Sequence, residues 1–259
     1  MQQILENILN NSKYRIPFPS CNLPEVKGSI LVLSPHFDDD IIGCGGTLLK
    51  YQKQGEDIHI VYITDGKKGK PEAISNKTIS RIRYDEAKEA TGVLGIPLEN
   101  TYCLNIPDGC VDSHSTNIKL EEIIKIINPV LVFTPYILDI HHDHRGTNTI
   151  FANLLKFNHC ESLGIKDIIM YEVWTPLLQN LCINITEQFR VKIKALEKHQ
   201  TQLKIMNYVG MVTSLNAYRA SFFNNKMYKY VEAFYHCSVQ EYQQLMRYVQ
   251  SMEIIKKRI

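Results

Sequence analysis

The stretch Ser29-Ile-Leu-Val-Leu33, running directly into Ser34-Pro35-His36-Phe37-Asp38-Asp39-Asp40, sets the reading of the chain. Its apolar run is too short for a helix and is followed by turn residues, the pattern of a strand buried on both faces. Beyond the acidic cluster, Gly45-Gly46 opens a helical pattern through Leu48, Leu49 and Tyr51 that closes at Gly55. Strand, loop and helix in that order make the first half of a βαβ unit.

The unit recurs along the chain. A second strand at 58–63 ends in Thr64-Asp65-Gly66, and a helix follows at 80–94 with Gly95 at the stop position. A weaker strand is expected at 102–106, a helix at 118–127 halted by Asn128-Pro129, and a buried strand at 130–133. A helix at 147–157 and a strand at 167–173 come next, and the chain from Glu187 onward reads as mainly helical, less regular near Asn224-Asn225. The expected fold is α/β and Rossmann-like: a mostly parallel sheet flanked by helices, with a mainly helical C-terminal part. One domain is expected over 1–259, its core at about 29–175 and a segment at about 176–259 packing on it. A chain of 259 residues suits this, since single cores stop growing near ~250–300 residues.

Composition narrows the partners. Hydrophobic residues at 44% and charged residues at 22% exclude a disordered chain. The 29 Lys+Arg against 27 Asp+Glu leave no basic excess of the kind nucleic-acid binders carry. No run approaches the ~18 apolar residues of a membrane span, and residues 1–17 lack an apolar signal core. The seven cysteines are odd in number and form no CxxC pair, so neither a disulfide framework nor a zinc ribbon is indicated. The expectation is a soluble, reduced, cytoplasmic protein acting on a small molecule, as a monomer or a homo-oligomer.

In open α/β sheets ligands bind beyond the carboxyl ends of the strands, at the switch point. The loops after Leu33, Ile63 and Phe133 therefore share one rim. The first carries His36, Asp38, Asp39 and Asp40; the last reads Asp139-Ile140-His141-His142-Asp143-His144. Adjacent carboxylates repel one another, and a bound cation is the natural compensation. Two imidazoles and a carboxylate with an open position suit a catalytic zinc, less specifically iron or another divalent metal. Either loop alone reads equally well as a solvated acidic turn or a surface histidine cluster; two such loops ending buried strands of one sheet point to a site.

Ser-Pro-His-Phe-Asp-Asp-Asp with the following Ile41-Ile42-Gly43-Cys44-Gly45-Gly46 resembles the His-Pro-Asp-Asp-Glu signature of the PIG-L (LmbE-like) metal-dependent de-N-acetylases. His141-His142-Asp143-His144 resembles that family's His-Pro-Asp-His signature, and weaker likenesses extend the match over roughly 29–234. The resemblance implies removal of an acetyl group from an N-acetylated amino sugar or its conjugate, with Zn2+, or another divalent ion such as Fe2+, as cofactor. It puts His36, Asp39 and His144 on the metal ligands and Asp38 on the general base. His141 falls on the imidazole that stabilises the oxyanion, Asp143 on the carboxylate that tunes it, and Arg83 and Asp108 on groups that hold sugar hydroxyls. The chain departs from the pattern at Phe37 and His142, where the family has proline, at Asp40, where it has glutamate, and at Asp139, where some members have tyrosine. A metal-dependent hydrolase of another amide or ester, and a catalytically silent metal-binding scaffold, are the alternatives.

Other features read more plainly. Gly43-Cys44-Gly45-Gly46 lacks the third glycine of a dinucleotide fingerprint, and its glycines suit close packing of a helix start. Cys44 reads as a buried small residue. Lys67, Lys68 and Lys70 form a solvated loop or meet a phosphate. The aromatic series Tyr218, Phe222, Phe223, Tyr228, Tyr230, Phe234 and Tyr235 lines a sugar cleft or packs the C-terminal core. His59, His114, His159, His199 and His236 carry no assignment.

Overall fold

The computed structural model describes residues 20–69, 75–111, 118–157 and 163–256; Lys70, His114 and His159 lie outside them. The expected α/β architecture is present: a mostly parallel seven-stranded sheet with helices on both faces. The strands are β1 (Ile30–Ser34), β2 (Ile58–Thr64), β3 (Thr101–Ile106), β4 (Leu131–Pro135), β5 (Asp167–Tyr171), β6 (Leu181–Asn184) and β7 (Val231–Ser238). The helices are α1 (Asp39–Lys53), α2 (Asn76–Leu94), α3 (Ile118–Ile127), α4 (His142–Phe157), α5 (Phe189–Leu196), α6 (Gln200–Leu203), α7 (Tyr208–Ala220) and α8 (Val239–Lys256).

The sheet order is β3-β2-β1-β4-β5-β7-β6. The chain winds outward from β1 through β2 to β3, then returns to place β4 on the other side of β1. That reversal is the switch point, and it separates the carboxyl ends of β1 and β4 into a crevice. Residues alternate across β1, so each face has its own core. Ile30 and Val32 pack with α1, α2, α5 and α7, through residues such as Leu48, Leu94, Leu196 and Val212. Leu31 and Leu33 pack with α3, α4 and α8, through Ile124, Phe151 and Tyr242.

Two helix starts differ from those expected. Helices α1 and α4 begin at Asp39 and His142, ahead of the expected starts near Gly45 and Thr147. Both polar motifs thus occupy first helical turns, where a carboxylate is favoured by the helix dipole. The region after Glu187 is mainly helical as expected, in α5 to α8, and β7 inserts antiparallel between β5 and β6 and completes the sheet. The aromatic series divides: Phe234 is buried and Tyr230 stacks on Phe189 with centroids 3.5 Å apart, while Tyr218 and Phe222 are exposed.

Strand β7 brings Glu232 beneath α1. Its carboxylate accepts bonds from Gly46 N (2.9 Å), Thr47 N (2.7 Å) and Thr47 Oγ1 (2.6 Å). Lys192 from α5 donates to Glu232 Oε1 (2.6 Å), to the Ile42 carbonyl (2.8 Å) and to Asn216 Oδ1 (3.2 Å). Both charged side chains are fully buried, so each compensates the other. The glycines of α1 permit this closeness: a Cβ at Gly43 would stand 2.1 Å from the Tyr171 ring, and one at Gly46 2.8 Å from Ile185. Lys192→Met leaves Glu232 buried without its counter-charge and is expected to cost about 3–5 kcal/mol in denaturant unfolding. A cost below about 1 kcal/mol would show that the pair does not anchor α1.

Candidate metal centre

The loop after β1 and the start of α4 meet at Asp39, whose side chain is buried at the first turn of α1. Asp39 Oδ2 accepts from the His36 backbone N (2.8 Å) and lies 2.9 Å from His36 Nδ1. The same oxygen lies 3.1 Å from His144 Nε2. The outer nitrogen of each ring faces a second buried carboxylate: His36 Nε2 lies 3.3 Å from Asp143 Oδ2, and His144 Nδ1 lies 3.5 Å from Asp139 Oδ2. Two carboxylate–imidazole pairs thus converge on one oxygen.

This arrangement fits a divalent ion. Ligand atoms about 2.0–2.2 Å from a zinc ion stand roughly 3.3 Å apart at tetrahedral angles, close to the separations around Asp39. His144 is fully buried, and neither ring nitrogen makes a well-directed hydrogen bond despite its short distance to Asp39. Nε2, buried in that state beside Asp39, suits coordination better than hydrogen bonding. His36, His141 and His144 also bring nitrogens within 4.8 Å of one another, as do His36, Asp108 and Asp143 their ligand atoms. His142 is half-exposed and lines the same cleft, with Nδ1 3.6 Å from Asp143 Oδ1.

The three consecutive aspartates have different surroundings. Burial and the adjacent Asp39 charge push the Asp38 carboxyl up to about 7. Burial works against ionisation of Asp39 too, but His144 and His36 outweigh it and hold this carboxyl well below the usual range. Burial, then Asp38 and Asp39, raise Asp40 well above it. Asp40 reaches Ser34 Oγ at 3.4 Å and Tyr62 OH at 3.5 Å, both long bonds. Asp38 precedes α1 without capping it and, with Asp39, lines a cleft of about 510 Å3, so two acids of the triplet face the ligand space and Asp40 does not.

His141 stands beside the centre, 4.7 Å from His36 and 4.8 Å from His144 between ring centroids. Its Nδ1 accepts from the Asp143 backbone N at 3.2 Å, which leaves the proton on Nε2. Burial and the neighbouring His36 and His144 lower its basicity. The Asp143 carboxylate holds other groups: Gly109 N donates to Oδ2 (2.7 Å) and Val111 N to Oδ1 (3.3 Å), tying the loop after β3 to His36.

Arg83 and Asp108 both line the cleft. Arg83 Nη1 donates to the carbonyls of Gly66 and Lys68, both at 2.6 Å, and Nη2 to Gly69 at 2.8 Å, so its guanidinium shapes the loop after β2. Asp108 Oδ2 accepts from Lys68 N (2.9 Å), and Oδ1 lies 3.6 Å from His36 Nε2. Lys67 pairs with Asp65 at 2.6 Å. Cleft residues absent from the sequence reading include Trp174, Gln202, Ile205 and Tyr208. Trp174, three residues beyond β5 on the same rim, was the one open to that inference; it stacks on His141 at 6.4 Å.

An α/β sheet with an imidazole–carboxylate centre at its switch point defines the class of this protein. The family model for PIG-L, described as GlcNAc-PI de-N-acetylase, matches residues 31–155 of the chain. Among curated relatives, it is 27% identical over 192 residues to diacetylchitobiose deacetylase of Thermococcus kodakarensis, covering 67% of this chain and 69% of that one. It is 26% identical over 201 residues to a probable N-acetyl-alpha-D-glucosaminyl L-malate deacetylase 2 of Bacillus cereus, covering 68% and 84%. The fold is shared with N,N'-diacetylchitobiose deacetylase of Pyrococcus horikoshii at a TM-score of 0.70, 23% identity and 91% coverage of both chains.

Arg83→Lys replaces a fork holding three carbonyls by a single ammonium. The expected result is a loss of about 1.5–3 kcal/mol with faster amide exchange across residues 66–69. Unchanged exchange there would show that Arg83 does not hold this loop.

Proposed function

We propose that the chain is a divalent-metal-dependent hydrolase that removes the acetyl group from an N-acetylated amino sugar or its conjugate. The observation that carries this reading is the division of labour in one triplet: on the same cleft, Asp39 lies between His36 and His144, while the neighbouring Asp38 has its carboxyl pushed up to about 7. His36, Asp39 and His144 would hold the ion, zinc in the first instance. Such an ion polarises an amide carbonyl and acidifies water. The relatives' names, diacetylchitobiose deacetylase and glucosaminyl malate deacetylase, favour an acetylated amino sugar. A cleft of about 510 Å3 with Trp174 and Tyr208 in its wall is of a size for a small sugar conjugate.

The side chains then act in sequence. Ionised Asp38 takes a proton from the attacking water as the new C–O bond forms at the acetyl carbon. His141 donates its Nε2 proton in a hydrogen bond to the oxygen on which negative charge grows; such a donor lowers the barrier by ~2.7–4 kcal/mol. The C–N bond breaks, Asp38 returns the proton to the leaving nitrogen, and the products are acetate and a free amine. Arg83 acts through the loop it braces, and Asp108 offers an acceptor at the cleft wall. Because the base must be ionised, activity should rise with pH as Asp38 loses its proton.

Acetylated amino sugars and their conjugates, incubated with zinc-loaded protein, are expected to yield acetate and free amine in equal amounts. Ester hydrolysis without amine release would overturn the substrate class. Asp38→Asn should retain its metal and lose ~10²–10⁴-fold in kcat. Near-normal turnover in that variant would remove Asp38 as the base. By elemental analysis, His144→Ala should lose metal and His142→Ala should keep it; the reverse pattern would move the ligand to His142.

A further inference from the structure

The carboxylate of Asp139, two residues before His141, is fully buried although the chain there is a loop. Its contacts reach three separate parts of the site. Oδ1 accepts from His141 N at 2.8 Å. Oδ2 accepts from Trp174 N at 3.1 Å and Thr175 N at 3.3 Å, and lies 3.5 Å from His144 Nδ1. Arg145 Nη1 fixes the same turn from outside, donating to the carbonyls of Asp139 (2.8 Å) and Ile140 (2.7 Å). Thr175 adds a second tie between the two loops, its Oγ1 accepting from Ile140 N at 2.9 Å.

From these contacts we propose that Asp139 is a positioning residue that fixes the tautomer and direction of His144 and locks the Trp174 loop to the same point. The role rests on the metal-dependent reading given above. An imidazole whose Nδ1–H faces a carboxylate keeps its Nε2 lone pair, and here that lone pair is turned toward Asp39. Carboxylate partners of metal-ligating histidines orient the ring and raise its basicity, and their loss typically costs 10–100-fold in metal affinity. In this chain the carboxylate serves more than the ligand. Because its other oxygen holds the His141 amide, the turn that carries the oxyanion donor and the turn that carries the metal ligand share one anchor. Because it also takes two amides of the loop after β5, the Trp174 ring that stacks on His141 is anchored there too.

Asp139→Asn tests the role with little change of volume. An amide offers one acceptor oxygen, so its NH2 must face either the His141 amide or the Trp174 and Thr175 amides, and one edge of the anchor is lost. Zinc affinity, measured by competition with a chromophoric chelator, should fall 10–100-fold. Trp174 is the single tryptophan of the sequence, so the emission spectrum reports the loop directly and should change in the same variant. Thr175→Ala separates positioning from packing: it loosens the loop without touching the carboxylate, so emission should change while zinc affinity stays at the wild-type value. Equal loss of affinity in Thr175→Ala and Asp139→Asn, or wild-type affinity in a folded Asp139→Asn, would overturn the proposal. If the asparagine variant does not fold, long-range 1H–15N spectra of zinc-loaded wild type decide it: His144 should carry its proton on Nδ1, and a proton on Nε2 overturns the role. A wild-type chain that binds no zinc removes the metal reading itself, and this role with it.

Discussion

A carboxylate buried at the meeting of two loops stays ionised only when positive charge or donors converge on it, because its desolvation is opposed by several kcal/mol. Asp39 Oδ2 is in that position, with His36 on one side and His144 on the other. The rest of the site follows from that oxygen. The imidazoles must present their inner nitrogens to it, so their outer nitrogens turn to Asp143 and Asp139. Those carboxylates in turn hold the loops after β3 and β5, and the cleft takes its walls from them. Several acids crowd around few cationic partners, a balance that a divalent ion restores.

The sheet makes this convergence possible. Residues 107 apart, His36 and Asp143, meet because β1 and β4 are neighbours and the winding reverses between them. Each loop leads into the first turn of a helix, α1 or α4, so Asp39 and Asp143 sit where helix dipoles favour negative charge. The buried pair of Lys192 and Glu232 grips the same turns of α1 from β7 and α5. The C-terminal part therefore supports the helix from which the Asp39 side chain projects.

Much of this was legible in the sequence because it depends on local pattern. Residues 29–33 read as a doubly buried strand since they lie between two helical layers, and the histidine–aspartate loops stood out by density of ligating side chains. Other parts were not legible because distant contacts set them. Strand β7 carries Glu232 into the core, and the partner that makes this tolerable, Lys192, lies 40 positions away. The helix starts were placed too late because Asp39, Asp40 and His142 look like loop residues until their role in a first turn is known. Trp174 and Asp139 are joined across 35 positions by a backbone amide, which leaves no side-chain signature.

Beside His36, Asp39 and His144, drawn together by the short distances around Asp39, the three imidazoles of His36, His141 and His144 offer a competing donor set in the same space. The two sets assign His141 opposite roles, since an imidazole bound to the ion cannot also donate a proton to a growing oxyanion. X-ray absorption spectroscopy of the zinc-loaded protein counts imidazoles directly through their multiple scattering. Two imidazoles with oxygen donors completing the shell is the result expected here, and three imidazoles would contradict it.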